Sequence, residues 1–153
     1  MGASGFFEYP TEPDGEQGVP GADPDVRAPF LHEADELEWA ALLSFTQTRY
    51  VSAGEHVFTE GETDHALYLL TAGRLELSTG GERVGELEAI APLNQIGFFD
   101  LGPCAITATA LDKSELVRLS FEAFEALAAR KPVLARKLLL AVGQSLAVAL
   151  RAV

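Results

Sequence analysis

Short segments of alternating apolar and polar residues follow one another through the middle of the chain. In the segment 74–78, Leu75 and Leu77 fall on one face and the polar residues on the other, which is the period of a half-buried β-strand. Further strand-like segments are 46–51, 55–59, 66–71, 83–90, 106–111 and 116–120. Many short strands separated by turn residues predict an antiparallel sandwich, jelly roll or barrel over residues 46–120.

The apolar period becomes helical on both sides of this β region. Residues 36–45 place apolar side chains at helical spacing after acidic residues, which the helix dipole favours in a first turn. Residues 121–153 predict two helices separated at Pro132, and the longer one is apolar on more than one face. Because an apolar helix face requires burial, we predict a homodimer through this helix. The candidate interface residues are Leu138, Ala141, Val142, Ser145 and Ala149.

The first 29 residues have a different composition. They are rich in Gly and Pro, contain six acidic residues and one basic residue, and show neither helical nor strand periodicity. We interpret residues 1–29 as a disordered acidic tail and residues 30–153 as one domain. Phe6, Phe7 and Tyr9 are unusually apolar for such a tail; besides an inert tail, docking on a partner or back onto the domain is an open alternative.

Charge and composition narrow the function classes. With 23 acidic and 11 basic residues, the chain of 153 residues has a formal net charge of −12, which opposes nucleic acid and anionic membranes. No run of about eighteen uninterrupted apolar residues and no signal-peptide pattern is present. The single cysteine fits a reducing compartment. We therefore expect a cytoplasmic protein without a nucleic-acid or membrane partner.

One stretch carries a family resemblance. Residues 97–108 read Gly-Phe-Phe-Asp-Leu-Gly-Pro-Cys-Ala-Ile-Thr-Ala, and they resemble the phosphate-binding cassette of cyclic nucleotide-binding domains. In that cassette a short Gly-Glu-Leu helix precedes Pro-Arg-Ser/Thr-Ala. The glycine pattern of residues 54–77 is similar to the opening strands of the same fold. The resemblance covers about residues 37–151 and implies an eight-stranded jelly roll with C-terminal helices, of the catabolite activator effector-domain type.

The matching positions do not all carry the residues that this family uses. Gly97 and Pro103 match the glycine and the proline, whereas Phe98 stands at the ribose-binding glutamate and Cys104 at the phosphate-binding arginine. Ala105 replaces the hydroxyl residue that usually follows the arginine. The resemblance implies these candidate ligand-site residues: Gly97, Phe98, Phe99, Pro103, Cys104, Ala105 and Thr107.

A cyclic phosphodiester needs a cation in fork geometry and an acceptor for the ribose hydroxyl. Losing the partner of a buried charge costs about 3–5 kcal/mol, or two to four decades of affinity, so ordinary cyclic nucleotide binding is disfavoured and we predict no cofactor. Two alternatives remain open. An altered pose could use polar side chains near the cassette, namely Asn94, Gln95, Thr107 and Thr109, or an arginine from another strand, namely Arg49 or Arg118.

Other chemistry is less well supported by the residues. The chain has no nucleotide-loop, nucleophile-elbow, paired-histidine zinc or dinucleotide-binding motif, so we predict no enzyme. His56 and His65 lie near several acids, but their spacing matches no compact metal site. Cys104 near a helix start raises a redox hypothesis, in which a lowered thiol pKa would make it reactive; a small buried apolar residue is the alternative that we favour.

Three functions compete at this point. The first is a stand-alone regulatory module with a degenerate pocket, which acts through dimerisation and contact with an unknown protein partner. The second is a small-ligand sensor that still binds cAMP, cGMP or another effector in an altered pocket. The third is a transcription factor of the catabolite-activator type. We expect no DNA-binding domain, because the sequence ends at Val153 directly after the predicted dimerisation helix.

Overall fold

Eight antiparallel strands in two sheets form the centre of the computed structural model, which describes residues 30–152. The predicted tail of residues 1–29 lies outside the described residues, as does Val153. The strands are β1 Gln47–Val51, β2 His56–Phe58, β3 Leu67–Ala72, β4 Arg74–Thr79, β5 Glu82–Glu88, β6 Ala91–Leu93, β7 Thr107–Ala110 and β8 Ser114–Leu119. The helices are α1 Glu36–Leu43, α2 Gln95–Asp100, α3 Phe121–Arg130 and α4 Pro132–Arg151.

The order of the strands is that of a roll. One sheet has the order β1-β8-β3-β6 and the other β2-β7-β4-β5, so most neighbours in space are distant in sequence. The pairs are antiparallel, with Leu69 opposite Val117 in the first sheet and Leu75 opposite Ala110 in the second. The predicted fold class, a mainly β jelly roll with flanking helices, is therefore confirmed.

Strand β3 divides the core into two layers. Leu67 and Leu69 pack between the first sheet and the helices, whereas Tyr68 and Leu70 belong to the cluster inside the roll. Residues 67–70 are all buried because this strand is covered on both faces. This explains why the sequence of β3 is continuously apolar. Strands with one face in solvent, such as β4, alternate apolar and polar residues instead.

The helix boundaries follow from local capping. The Asp35 side chain accepts from the Glu38 backbone N–H, and the Glu38 side chain accepts from the Asp35 backbone N–H, so a capping box starts α1. Ser120 caps α3 through the Ala123 N–H, and Pro132 occupies the first turn of α4, where a missing N–H costs nothing. Helix α1 ends at Leu43, two residues before its predicted end.

Sequence periodicity missed strand β6. It is only three residues long and has Pro92 at its centre, paired with Leu69 of β3. Proline cannot donate to a ladder and is tolerated at a sheet edge, which is where β6 lies. The segment therefore has no alternation to detect. The preceding strand β5 ends at Glu88, two residues before the end of the predicted strand 83–90.

A tight turn at Gly73 joins β3 to β4. Gly73 has φ +97°, and a Cβ atom there would lie 2.1 Å from Ser114 Oγ. The glycine therefore meets two requirements at once, a left-handed backbone and close passage of β8. Strand β4 leaves this turn in register with β5 and β7, which closes the second sheet.

Candidate functional site

Helix α2 lies between β6 and β7, in the segment that resembles the cassette. Asn94 precedes it with φ 61°, and its side-chain amide donates to the carbonyl oxygens of Asp64 and Ala66 at 2.7 and 2.9 Å. A Cβ at Gly97 would lie 2.8 Å from Asn94 Oδ1 and 3.2 Å from the Gly102 carbonyl oxygen. Gly97 is thus required for the close packing of α2, whether or not a ligand binds.

Phe98 lies in the core between the roll and the helices. Its side chain is 1% exposed, and its ring centroid is 5.5 Å from that of Phe124 and 5.7 Å from that of Phe121. The edge-to-face geometry with Phe124 is one that aromatic rings favour. We therefore correct its assignment to the ligand site: Phe98 packs against α3 and does not belong to the cluster inside the roll.

Among the seven candidate ligand-site residues, Cys104 is the one that belongs to the buried cluster inside the roll. It is buried, and its backbone N–H donates to the Glu62 carbonyl oxygen at 2.8 Å. Burial raises the pKa of the Cys104 thiol, and the negative charges of Asp64 and Glu62 raise it further. These effects oppose the lowered pKa that the redox hypothesis requires.

The other candidate cassette residues lie at the surface. Phe99, Pro103 and Ala105 are exposed, and Thr107 is half-buried at the start of β7. The Gly102 carbonyl oxygen lies 3.2 Å from the His65 Nδ1 atom, which ties this loop to the segment before β3. The cassette therefore forms an ordered connection, but its seven candidate residues do not converge on one cavity.

A charged network that sequence reasoning did not assemble lies beside this connection. Asp64 accepts from Tyr68 Oη at 2.6 Å, from Arg118 Nη2 at 3.0 Å and from the Ala66 N–H at 3.0 Å, and we call these groups the Asp64 network. Burial alone would raise the pKa of Asp64, but these hydrogen bonds and the guanidinium charge hold it below its ordinary value. Burial, with the Asp64 carboxylate, raises the pKa of Tyr68.

The two arginines named as candidate replacements for the missing cassette arginine both have partners within the chain. Arg118 on β8 is directly opposite Tyr68 on β3. Both side chains therefore lie on the face of the first sheet that points into the roll. It forms a salt bridge with Asp64. Arg49 donates to the carbonyl oxygens of Val57 and His56 at 2.6 and 3.2 Å. The register of β3 and β8 was the signal that could have revealed the Arg118 contact.

The neutral side chains kept as alternatives are also bonded within the protein. Thr107 Oγ1 accepts from the Glu60 backbone N–H at 2.9 Å, and Thr109 Oγ1 lies 2.8 Å from His56 Nδ1. Gln95 Nε2 contacts Ser145 Oγ of α4 at 3.4 Å. Within residues 30–152, no group of three metal-ligating side chains comes together, and the expected lack of a metal stays a prediction.

The predicted dimer face of α4 requires a correction. Leu138 and Val142 are 0% exposed, because they pack into the core between α4 and the roll. Ala141 and Ser145 are half-buried on the borders of this face, and only Ala149, near the end of the helix, is exposed. Leu138 and Val142 therefore attach α4 to its own domain and are not available to a second copy.

Helix α4 also meets the length and hydropathy requirements of a membrane span. It has 20 residues and a mean hydropathy of 1.6 in its most apolar window, although no uninterrupted apolar run revealed this in the sequence. Its inner face packs on the domain through Leu134, Leu138 and Val142, and Arg136 and Lys137 lie within its first half. In the described fold, α4 is a closing helix of the roll.

The two-sheet roll, the short helix between β6 and β7 and the two closing helices together define a class of regulatory domain. The chain belongs to the cyclic nucleotide-binding domain family, whose model matches residues 48–131.

Individual relatives agree with this membership. The chain is 30% identical over 116 residues to the cyclic AMP receptor protein of Thermus thermophilus, a match that covers 72% of this chain and 54% of that protein. The crystal structure of the Thermus thermophilus catabolite activator protein superposes with a TM-score of 0.68 at 27% identity, over 80% of this chain and 60% of that one. A cyclic nucleotide-binding domain from Methylobacillus flagellatus shares the fold, with a TM-score of 0.71 at 22% identity over 77% and 69% of the two chains.

The chain spans about half the length of the first of these relatives. None of the three names describes an enzyme. The absence of enzymatic activity and of a DNA-binding domain in this protein stay predictions.

Proposed function

We infer that this domain is a regulatory module that keeps the roll but does not bind a cyclic nucleotide in the ordinary way. One observation carries the inference. Buried Cys104 occupies the arginine position of the cassette, while Arg118, which faces the roll interior, is already paired with Asp64 at 3.0 Å. An incoming phosphodiester therefore meets no free guanidinium in this part of the described structure.

The energetic consequence follows from charge pairing. To hold a phosphate, Arg118 would have to leave Asp64, whose side chain is 19% exposed. The side chains of Arg118 and Asp64 are 36% and 19% exposed, so breaking this pair costs more than the roughly 0–1 kcal/mol of a surface pair and less than the roughly 3–5 kcal/mol of a buried one. A cost of about 1–3 kcal/mol corresponds to roughly one to two decades of affinity for a phosphodiester.

Dimerisation through α4 remains part of the proposal, but through a different face. Leu139, Gly143, Leu146 and Leu150 recur at steps of four, three and four residues, and Leu139 and Leu150 are exposed. This is the spacing of a two-helix seam, and we call these four residues the α4 seam. A glycine in the seam lets two helix backbones approach closely. Burying the seam against a second copy would cover an apolar surface that a monomer leaves in water.

Such a module would act by binding another protein in the cytoplasm, and its dimerisation would control that contact. The alternative, a small-ligand sensor, predicts binding of cAMP, cGMP or another effector within the roll. Both alternatives use the same fold, so binding measurements decide between them.

Calorimetric titration of the full chain with cAMP and cGMP tests the loss of binding. We expect no saturable heat, and a Kd tighter than about 10 μM would favour the sensor instead. If a cyclic nucleotide binds, Asp64→Asn should lower the Kd, because it releases the Arg118 guanidinium from its pair with Asp64. Asp112→Asn is the matched control, since it removes one carboxylate partner of Arg74 at the surface and leaves Arg118 paired with Asp64.

Light scattering after size exclusion tests the α4 seam. We expect twice the monomer mass for the natural chain and the monomer mass for a Leu139→Glu, Leu150→Glu variant. Leu37→Glu on α1 is the control, because Leu37 is 81% exposed and lies off the seam. A monomeric natural chain at high micromolar concentration, or equal effects of both variants, would reject the seam.

A further inference from the structure

A groove of about 500 Å³ lies between α4, β6 and the segment that leads into α1. We call it the α4 groove, and most of its wall is apolar: Phe30, Leu31, Ile90, Pro92, Leu140 and Val148. Pockets that hold organic ligands have volumes of roughly 300–1,000 Å³, so the groove can take a few large side chains. None of the four α4 seam residues lines it.

The described chain begins at the wall of this groove. Phe30 lines it, and Leu31 beside it is 4% exposed, so the entry of the chain into the domain is anchored there. Twenty-nine residues precede Phe30 in the sequence. Any segment among them is tethered directly at the groove, and no other occupant has this advantage.

The preceding residues have chemistry that suits the groove. Phe6, Phe7 and Tyr9 form an aromatic cluster within four positions, in a segment with six acidic residues and one basic residue. The groove is lined by two cations, Arg136 and Lys137, and by one acid, Glu33. Lys137 pairs with Glu38, whereas Arg136 makes no salt bridge to any residue between 30 and 152. An apolar wall with a free cation at its side matches aromatic residues flanked by acids.

The tether is long enough. Twenty-one positions separate Tyr9 from Phe30, and a chain of that length can reach up to about 70 Å. Because the cluster and the groove belong to one chain, the effective concentration is on the order of millimolar, so a weak contact would be mostly occupied within one molecule.

We propose that the aromatic cluster at residues 6–9 docks in the α4 groove of its own chain. The docked segment covers Leu140 and Val148 and brings its acids to Arg136. The α4 seam stays open, because its residues lie on a different strip of the helix. The inference is independent of whether the roll binds a nucleotide.

Amide NMR spectra of the full chain test the proposal, with a Phe6→Ser, Phe7→Ser, Tyr9→Ser variant against a Val19→Ser, Val26→Ser control. We expect the aromatic variant to shift amide signals at residues 30–33, 90–91 and 140–148, and the control to leave them in place. These shifts should not change on tenfold dilution, because the contact is within one molecule. Changes confined to the first 29 residues would overturn the proposal, and signals that depend on dilution would assign the groove to a second copy.

A charge reversal supplies a second measurement. Arg136→Glu should move the groove signals towards those of the aromatic variant, because it replaces attraction of the acidic segment with repulsion. Arg130→Glu is the control, since Arg130 is exposed at the end of α3 and does not line the groove. Equal effects of the two reversals would overturn the assignment to this groove.

Discussion

Replacing Phe98 by Ala tests where the cassette helix places its central side chain. Phe98 is 1% exposed and has three aromatic neighbours with ring centroids 5.5–5.7 Å away. Truncation of a buried Phe to Ala costs about 3–5 kcal/mol, because contacts are lost and a cavity remains. With a urea dependence of about 2 kcal/mol per molar, the midpoint of unfolding should fall by roughly 2 M.

The neighbouring residue is the matched control. Phe99 is 45% exposed, so Phe99→Ala should cost no more than about 1 kcal/mol. Urea unfolding can be followed by the fluorescence of Trp39, the only tryptophan, which packs against the same core cluster as Phe98. Phe98→Glu should destabilise at least as much as Phe98→Ala, because it adds a buried charge. Equal costs for the two alanine variants, or a Phe98→Glu protein as stable as the natural one, would refute the placement of Phe98 in the core.

Three further variants and reactions test other parts of the structure. The thiol of Cys104 should react with a thiol reagent far more slowly in the folded protein than in urea, because it is buried and its pKa is raised; equally fast reaction would contradict this. The pKa of Asp64 is lowered in the folded state, so its contribution to stability is present above about pH 4 and is lost as the pH falls further. The stability difference between the natural chain and Asp64→Asn, measured in urea, should therefore narrow between about pH 4 and pH 2, and a constant difference would argue against the network. Gly73→Ala should cost several times more than Gly54→Ala, because both have positive φ but only Gly73 faces a neighbour, Ser114 Oγ at 2.1 Å; similar urea midpoints would contradict the close approach.

The fold was predictable because the strands repeat a simple local pattern. Alternation in Arg74–Thr79 and the turn at Gly73 both follow from backbone geometry, which a sequence records directly. The resemblance over residues 54–77 then supplied the order of the strands, which periodicity cannot. Strand β6 was missed because a three-residue edge strand centred on Pro92 has no period.

The site was harder to predict because side-chain direction is decided by packing between distant elements. Gly97 and Pro103 located the cassette, but whether Phe98 turned into the roll or against α3 depended on Phe121 and Phe124, more than twenty residues later. In α4 the same difficulty arose, since two apolar faces had helical spacing and only contact with the roll distinguished them. Sequence spacing showed that α4 is apolar on more than one face and could not tell which face the domain itself covers.

The Asp64 network is the reason why we expect the proposed module to respond poorly to cyclic nucleotides. A ligand shifts a conformational equilibrium only by its difference in affinity for the two states. Asp64 already has its cation in Arg118, so an anionic ligand finds no unbalanced positive charge to satisfy here. Among residues 30–152 the buried side-chain atom without a partner is Asn94 Oδ1, an acceptor, which a phosphate cannot satisfy either. Under the proposed function, regulation of this domain acts through surfaces other than the roll interior, and α4 offers two of them, its seam and its groove.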